Sequence, residues 1–325
     1  MKYIKLCLCA LCMFTLFTIS GCNSETENIV KVGIVQISEH DSLNTIRKAA
    51  VKEIRKQGYD EDKCEVIYKN AGGDANTLQT IINDFKEKNV DVVIPISTPA
   101  AQAAAVLSED TPIVFAAVSD PVAAKLVEAI DKTDGNITGT SNAIQVDQIM
   151  EEGLKLYPNI QKMGLIYNSG EVNAVSTINK VKAYCKENGI ETVETSITNT
   201  SEVSQATNSL IDEGIDSIFI PNDNTLINCM DVIAPILNEN KIPSFSGVDT
   251  FVSGGALLNV GIDYETLGKE TGKMVVEILD GASTDEIEVM EFKTNLNTYL
   301  NKSTVKALGL NLDEFKTDNT IVYFE

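Results

Sequence analysis

The chain has 325 residues, with 26 Lys or Arg and 47 Asp or Glu, which gives a formal net charge of −21. A charge of this sign and size repels nucleic acid and anionic lipid headgroups, and a single His removes most metal and Ser–His–Asp chemistries from consideration. The length exceeds what one compact core usually accommodates, so we expect two lobes.

The N-terminus has the order of a secretory signal peptide. Two lysines precede an apolar run over residues 6–19, and small residues follow it. The run is shorter than the roughly 20 apolar residues of a transmembrane helix. Its ending, Ile19-Ser20-Gly21-Cys22, resembles the bacterial lipobox, whose Cys becomes the lipid-modified first residue. We therefore predict a lipoprotein signal peptide at 1–21, a lipid anchor on Cys22 and a tether at 22–29; the alternative is an ordinary cleaved signal with a chance Cys.

The cysteines of the folded body are few and far apart. Cys64, Cys185 and Cys229 remain after the N-terminal 22 residues, and no CxxC or metal spacing occurs among them. A disulfide framework or zinc site is therefore not expected, although one pair could form outside the cell. We predict that the three are small buried or half-buried apolar residues, and we expect neither a metal nor a cofactor.

Short apolar runs alternate with helical patterns in the first half of the body. Residues 32–37 form a compact apolar run, and residues 43–57 then show helical spacing. Such alternation favours parallel strands with right-handed crossovers, buried on both faces. Further strands or helices are predicted at 65–68, 75–88, 90–96, 99 onward, 113–118 and 122–130.

The pattern restarts after residues 137–140, and residues 163–166 are similar to residues 32–35, as first strands of equivalent halves. Further elements are predicted at 146–157, 163–167, 175–188, 191–197, 203–212, 217–221, 226–238 and 242–245. A late strand at 254–260 and a helix at 264–279 are expected to return to the first lobe. The predicted fold class is α/β with two Rossmann-like lobes of parallel strands. Lobe I comprises 30–142 plus 247–285, and lobe II comprises 143–246 plus 286–325.

Polar loops follow the apolar strands in both halves. Ligands of open parallel sheets bind outside the carboxyl ends of the strands, so two facing rims make a cleft. Candidate ligand-binding residues on the first rim are Glu39, His40, Ser97, Thr98, Pro99, Ser119 and Asp120. Candidates on the second rim are Tyr167, Asn168, Glu171, Asn173, Asn222, Asp223, Asn224 and Asp249.

The dipeptide Thr98-Pro99 gives the most specific local indication of a ligand contact. Thr is a favoured helix cap and Pro suits the first helical position, so the turn that follows should present free backbone donors to a carboxylate. Asp223 and Asp249 on the opposite rim have no neighbouring cation in sequence and suit an ammonium. Together these features predict a zwitterionic ligand; the alternative at Thr98 is a plain capped helix.

Several motifs resemble the ABC-transporter substrate-binding lipoprotein family associated with tryptophan and other aromatic amino acids. They are VGIVQISEH (32–40), NAGGD (70–74), TPAAQA (98–103), PIVF (112–115), SDP (119–121), YNSGEVN (167–173), NDNT (222–225) and GIDY (261–264). The resemblance spans residues 30 to about 281. It implies a type I periplasmic-binding fold, three hinge crossings, a ligand between the lobes and a membrane permease as partner. Ser119 and Ser169 depart from the family, where Thr and Pro are frequent.

These observations predict an extracytoplasmic substrate-binding lipoprotein of an ABC importer that closes on a small amino acid. The resemblance favours tryptophan, phenylalanine or tyrosine, with His40 or Tyr167 beside the ring. Alternatives are that His40 only enters a helix and that Tyr167 only ends a core strand. We expect hinges near Thr140, Gly247 and Lys293.

Two alternative functions are compatible with the same fold, and two other classes are not expected. The alternatives are a ligand-sensing receptor that signals to a membrane partner and a binder of a sugar or nucleoside. An enzyme is not expected, because the sequence has no GxSxG, HExxH or Ser–Lys motif. A transcription regulator would need a DNA-binding module and a basic face, so no nucleic-acid partner is expected.

Overall fold

The computed structural model describes residues 29–133 and 135–325. The predicted signal peptide and the predicted anchor at Cys22 lie outside the described residues. No helix within the described ranges is long and apolar enough to cross a membrane.

The first lobe is built on a six-stranded sheet in the order β11-β5-β4-β3-β1-β2, with parallel neighbours. Its strands are β1 (Val30–Gln36), β2 (Cys64–Asn70), β3 (Val92–Ile96), β4 (Ile113–Ala116), β5 (Ile137–Ser141) and β11 (Met290–Glu291). Its helices are α1 (Asp41–Lys56), α2 (Ala75–Glu87), α3 (Thr98–Ala104) and α9 (Tyr264–Leu279). Every residue of β3 and β4 is buried, because helices cover the central strands on both faces.

The second lobe is built on a seven-stranded sheet in the order β13-β12-β10-β9-β8-β6-β7. Its strands are β6 (Lys162–Asn168), β7 (Glu191–Ile197), β8 (Ser217–Ile220), β9 (Ser244–Ser246), β10 (Leu258–Gly261), β12 (Asn297–Asn301) and β13 (Thr320–Phe324). Its helices are α4 (Val146–Leu156), α5 (Val172–Glu187), α6 (Val203–Asp212), α7 (Met230–Glu239), α8 (Asp249–Ser253) and α10 (Lys302–Leu308). Strands β10 and β12 pair antiparallel, and the other neighbours pair parallel. The predicted α/β class with two parallel-sheet lobes is confirmed.

Short 3₁₀ turns complete the secondary structure. They lie at Ala105–Leu107, Thr200–Glu202, Ile227–Cys229 and Thr284–Glu286. The cysteines Cys64, Cys185 and Cys229 are buried and their thiols are free, in agreement with the prediction of small buried residues. Burial raises the pKa of the Cys185 thiol to about 11.

Helix α9 returns the chain to the first lobe, as predicted, by packing closely on α1. A Cβ atom at Gly268 would lie 2.4 Å from the backbone oxygen of Ile46. A Cβ atom at Gly272 would lie 2.6 Å from the backbone oxygen of Ala50. Glycine is therefore required at both positions, because the two helix backbones approach closer than any side chain allows.

The predicted assignment of residues 247–285 to the first lobe is wrong for its first part. Strand β10 pairs with β9 and β12 in the second sheet, so only α9 returns. Similarly, β11 pairs with β5, which places residues 290–291 in the first lobe. The chain thus crosses between the lobes at residues 142–145, 262–263 and 292–296. The predicted hinges near Thr140 and Lys293 lie beside crossings, whereas Gly247 lies inside the second lobe, between β9 and α8.

Candidate functional site

A cavity lies between the lobes, at the carboxyl ends of their strands. The first lobe lines it with His40, Ser42, Leu43, Ser97, Thr98, Ala117 and Asn142. The second lobe lines it with Asn173, Asn222, Asp223, Asn224, Ile227 and Val248, and Tyr264 opens α9 at the crossing between the lobes. Candidate residues from both predicted rims are therefore brought together, because the rims face each other.

A wider cavity of about 760 Å³ adjoins the first one through Asn224, which lines both. The predicted residues Pro99, Asn168 and Glu171 line this wider cavity. Its first-lobe wall includes the apolar side chains Ile37, Leu78, Pro99 and Ala103. The two cavities together offer a polar inner part and an outer part with an apolar wall.

The first-lobe wall carries unusual backbone at two strand ends. Ser97 after β3 has φ of 96°, and Ala117 after β4 has φ of 55°. A residue with a side chain adopts such a conformation at a cost of about 1–3 kcal/mol, so the surrounding structure must enforce it. Outliers of this kind cluster at ligand sites.

The hydroxyls beside this strained backbone are buried without partners. Helix α3 begins at Thr98 with Ser97 in the cap position, one residue earlier than predicted, and Ser97 makes no side-chain capping bond. Within the described residues, neither Ser97 Oγ nor Thr98 Oγ1 has a hydrogen-bond partner. Two buried hydroxyls therefore remain available to a group inside the cavity.

His40 precedes α1 and also faces the cavity. Its backbone is extended and its side chain makes no capping bond to the helix. Burial lowers the pKa of His40 to about 4, so the imidazole is neutral near pH 7. Among the described residues its Nδ1 has no hydrogen-bond partner. His40 therefore offers an uncharged polar atom to the cavity as well as entering the helix.

Glu171 organises the loop that carries the second wall. One of its oxygens accepts from the backbone nitrogen of Asn224 at 3.0 Å and from Asn224 Nδ2 at 2.6 Å. The other accepts from the backbone nitrogen of Thr225 at 3.1 Å and from Thr225 Oγ1 at 3.0 Å. These donors are oriented to stabilise a carboxylate, so Glu171 holds the 222–225 loop against α5.

Asp223 is the acidic residue that reaches the cavity. It is 1% exposed and accepts backbone hydrogen bonds from Asn168 at 2.5 Å, Thr225 at 2.9 Å and Leu226 at 3.0 Å. Burial, and then the neighbouring Glu171 carboxylate, raise the pKa of Asp223 to about 7. Asp223 therefore holds a proton more readily than an exposed Asp does.

Asn173 presents an acceptor to the same cavity. Its Nδ2 donates to Glu171 Oε2 at 3.1 Å and to the backbone oxygen of Asn222 at 2.5 Å, which fixes the orientation of the amide. Its Oδ1 is buried and has no hydrogen-bond partner in the described part of the chain. The second wall thus combines a carboxylate and an amide oxygen, both acceptors.

Three predicted contact residues connect the lobes instead of lining either cavity. Asp120 Oδ2 accepts from Ser176 Oγ at 2.5 Å and lies 3.7 Å from Lys180 Nζ, both on α5. Ser119 Oγ accepts from Asn222 across the cleft. Asp249 on α8 of the second lobe accepts from Ser42 on α1 of the first lobe. These contacts hold the two lobes together, because each joins a residue of the first lobe to one of the second.

Asp249 lies at the start of α8 and faces α1. Its Oδ1 accepts from Ser42 Oγ at 3.0 Å, and Thr250 also contacts the Ser42 hydroxyl. Burial raises the pKa of Asp249 to about 6. Ser42 itself lines the cavity, so Asp249 contacts the cavity only indirectly, through the Ser42 hydroxyl.

Two further predicted residues line neither of these two cavities. Tyr167 Oη donates to Glu194 at 3.3 Å, on the side of β6 next to β7. Glu39 accepts from Tyr68 Oη at 3.0 Å. Sequence reasoning missed the lining residues Ser42, Leu43, Ala117, Asn142, Ile227, Val248 and Tyr264. A signal existed for Tyr264, which ends the GIDY motif, and for Ser42, which follows His40 within the first helical turn.

The comparisons with known proteins agree with this geometry. A model of the family described as ABC transporter substrate binding protein matches residues 31–317. A tyrosine-binding protein of Clostridioides difficile (strain R20291) is 39% identical over 280 residues, covering 86% of this chain and 81% of that protein.

Two solved structures are also similar. An ABC domain in complex with L-Trp from Streptococcus pneumonia is 30% identical, with a TM-score of 0.85 and coverage of 90% of this chain and 100% of that one. A ligand-free, open substrate-binding protein with adhesive properties from Clostridium difficile is 36% identical, with a TM-score of 0.71 and coverage of 91% and 100%. Of these two structures, the L-Trp complex has the higher TM-score with this chain, whereas the open protein has the higher sequence identity. With the matched family model and these relatives, the resemblance drawn from the motifs is confirmed: the chain belongs to the ABC transporter substrate binding protein family and has the type I periplasmic-binding fold.

Proposed function

We propose that this protein binds a free L-amino acid, preferably an aromatic one, between its lobes and delivers it to an ABC permease from outside the cytoplasm. The observation that carries the proposal is the chemical contrast between the two walls of the inner cavity. Unpaired hydroxyls on one wall face a carboxylate and an amide oxygen on the other. A zwitterion satisfies both walls at once.

The first wall suits the ligand carboxylate. The Ser97 and Thr98 hydroxyls are buried donors without partners among the described residues, and His40 adds a neutral ring nitrogen. A buried donor that stays unpaired costs about 1–3 kcal/mol, so a ligand oxygen that accepts from it recovers that free energy. Asn222 of the second lobe also lines this cavity and donates to Ser119 of the first lobe.

The second wall suits the ligand ammonium. Asp223 supplies the negative charge and Asn173 Oδ1 a second acceptor. No Lys or Arg occurs among the lining residues of the described cavity, so the ammonium is the natural counter-ion. Asn224 then lies where the ligand side chain would leave the inner cavity.

The outer cavity suits an apolar, flat side chain. Leu78, Pro99 and Ala103 give it an apolar wall, while Asn168 and Glu171 lie on the opposite side. Aromatic rings bury large areas against such walls. The relatives support this class, since one is named for tyrosine and another was solved with L-Trp.

Calorimetric titration tests the ligand class. We expect binding of L-tyrosine, L-tryptophan or L-phenylalanine and no binding of myo-inositol or a nucleoside. A charge-assisted bond is worth about 1.5–3 kcal/mol, so Asp223→Ala should weaken binding by roughly 10- to 150-fold. Asp231→Ala, which removes an exposed carboxylate from α7 and changes the net charge equally, is the matched control. Binding of a sugar or nucleoside and of no amino acid would contradict the proposal.

The transport role needs a separate test. Uptake of the labelled amino acid should depend on this protein, and the protein should co-purify with a membrane permease. Normal uptake in a deletion strain, together with a ligand-dependent signal from a membrane partner, would instead support the sensing alternative.

A further inference from the structure

We infer that the paired carboxylates of Glu171 and Asp223 hold one proton in the ligand-free cleft, and that the ligand ammonium displaces this proton on binding. The inference rests on the proposed function, because it requires a cationic group of the ligand beside Asp223. It makes amino-acid binding a proton-releasing reaction. Glu171 is then a positioning residue that acts on the ligand through Asp223.

The two carboxyl groups are joined by a single donor. The backbone N–H of Thr225 lies 3.1 Å from Glu171 Oε1 and 2.9 Å from Asp223 Oδ1, so the two acidic side chains share it. Both are buried, with 9% of Glu171 and 1% of Asp223 exposed. Two like charges this close, shielded from water, repel each other strongly, and one of them is held as the acid.

The hydrogen bonds indicate which member carries the proton. Both oxygens of Glu171 accept from several donors of Asn173, Asn224 and Thr225, so Glu171 is satisfied as an anion. Asp223 Oδ2 accepts only from the Asn168 N–H in the described chain, and Asp223 lines the cavity. Its free lone pair can take either a proton or a ligand ammonium. Burial and the Glu171 charge raise the pKa of Asp223 to about 7, in agreement with this assignment.

The exchange balances in charge. Without ligand, the Asp223 carboxylic acid is neutral beside the Glu171 anion. With ligand, the Asp223 O–H bond breaks, its proton leaves to solvent, and the resulting carboxylate accepts hydrogen bonds from the ligand ammonium. The number of buried carboxylates that need a counter-ion rises by one, and the ammonium supplies it.

Other titratable groups surround the pair and must be distinguished from it. Across the cleft, His40 has a pKa lowered to about 4 by burial and stays neutral above about pH 5. On the next turn, burial raises the pKa of the Cys229 thiol, which keeps its proton. Asp249, which accepts from Ser42, has a pKa raised to about 6 by burial and is the competing source of a proton among these described groups.

Calorimetry of the full-length protein with L-tyrosine tests the inference. At about pH 6 the raised pKa keeps Asp223 mainly protonated in the free protein, so titrations in phosphate and in Bis-Tris should differ by the buffer heat of most of one proton released. The dissociation constant should rise at least about tenfold from about pH 7.5 to about pH 5, because the proton competes with the ligand. L-Tyrosine keeps both its charges in this range.

The outcomes separate this inference from the proposed function. Tight binding with less than about 0.3 proton released overturns the inference and leaves the function in place. If L-tyrosine, L-tryptophan and L-phenylalanine all fail to bind, both fall.

Two variants assign the proton. Asp223→Asn should abolish proton release in whatever binding remains, whereas Asp249→Asn should keep it. Release that persists in Asp223→Asn and disappears in Asp249→Asn would assign the proton to Asp249 and overturn the inference. Since Asp223→Asn alters a buried loop, Asp249→Asn, which leaves the 222–225 loop intact, decides the assignment independently: loss of proton release in Asp249→Asn would overturn the inference.

Discussion

Removing the contact between Ser176 and Asp120 should shift the protein toward an open form and weaken ligand binding, although neither residue lines the cavity. Ser176 on α5 donates to Asp120 of the first lobe at 2.5 Å. The bond joins a first-lobe loop to a second-lobe helix, so it exists only when the lobes are together. Ser176→Ala removes it without touching the turn that Asp120 forms with the Ala123 N–H.

The size of the effect follows from the environment of the bond. A hydrogen bond to a charged group contributes about 1.5–3 kcal/mol, and we take the lower value because the Asp120 side chain is 24% exposed and water replaces part of the bond. Lys180 lies 3.7 Å away, is 47% exposed and adds little. A loss of about 1.5 kcal/mol from the closed state alone weakens apparent affinity roughly tenfold when the free protein is mainly open.

Calorimetry with L-tyrosine measures this loss, and stopped-flow dissociation should show that it appears mainly as faster release. Ser204→Ala, an exposed serine on α6, is the matched control and should bind like the wild type. If Ser176→Ala binds within twofold of wild type and releases ligand at the same rate, the lobe contact does not stabilise the closed form and the reasoning is refuted.

Small-angle scattering should give a smaller radius of gyration with saturating L-tyrosine, because ligand favours the closed form; an unchanged profile would contradict closure. Gly268→Ala should lower the free energy of unfolding by about 1–3 kcal/mol in a denaturant titration, because its Cβ would meet the backbone of Ile46, and an unchanged midpoint would contradict that contact. Metabolic labelling with a fatty acid should mark the wild type and not Cys22→Ser, and equal labelling would reject the anchor.

The sequence was sufficient to predict the alternation of strands and helices, because a strand buried on both faces is a continuous apolar run such as β3. Which of the two sheets a strand joins was harder to predict. The run that forms β10 is equally apolar in either sheet, and only its pairing with β9 and β12 decides its lobe. Local periodicity does not contain that information.

The site was predicted as a region more reliably than residue by residue. Asp120, Asp223 and Asp249 all follow strands, and the sequence does not distinguish Asp223 from Asp249 as the partner of an ammonium. Only the docking of the lobes directs Asp223 into the cavity and the other two toward the opposite lobe. A contact between Tyr167 and the ligand stays a prediction: its hydroxyl bonds Glu194, and side chains alternate along a strand, so a single step in β6 decides which face of the sheet a side chain occupies.

The three crossings have a consequence for how the chain folds during synthesis. The first lobe takes α9 and β11 from the last quarter of the sequence, and α9 covers α1 through contacts such as that of Gly268 with Ile46. An emerging chain that has reached residue 141 therefore has most of the strands of this lobe and lacks the helix that seals one of its faces. Pairing over such sequence separations is slow, because the intervening chain must be ordered first. The nascent first lobe thus exposes apolar surface until nearly the whole protein has been made, which favours an export route that accepts unfolded chains.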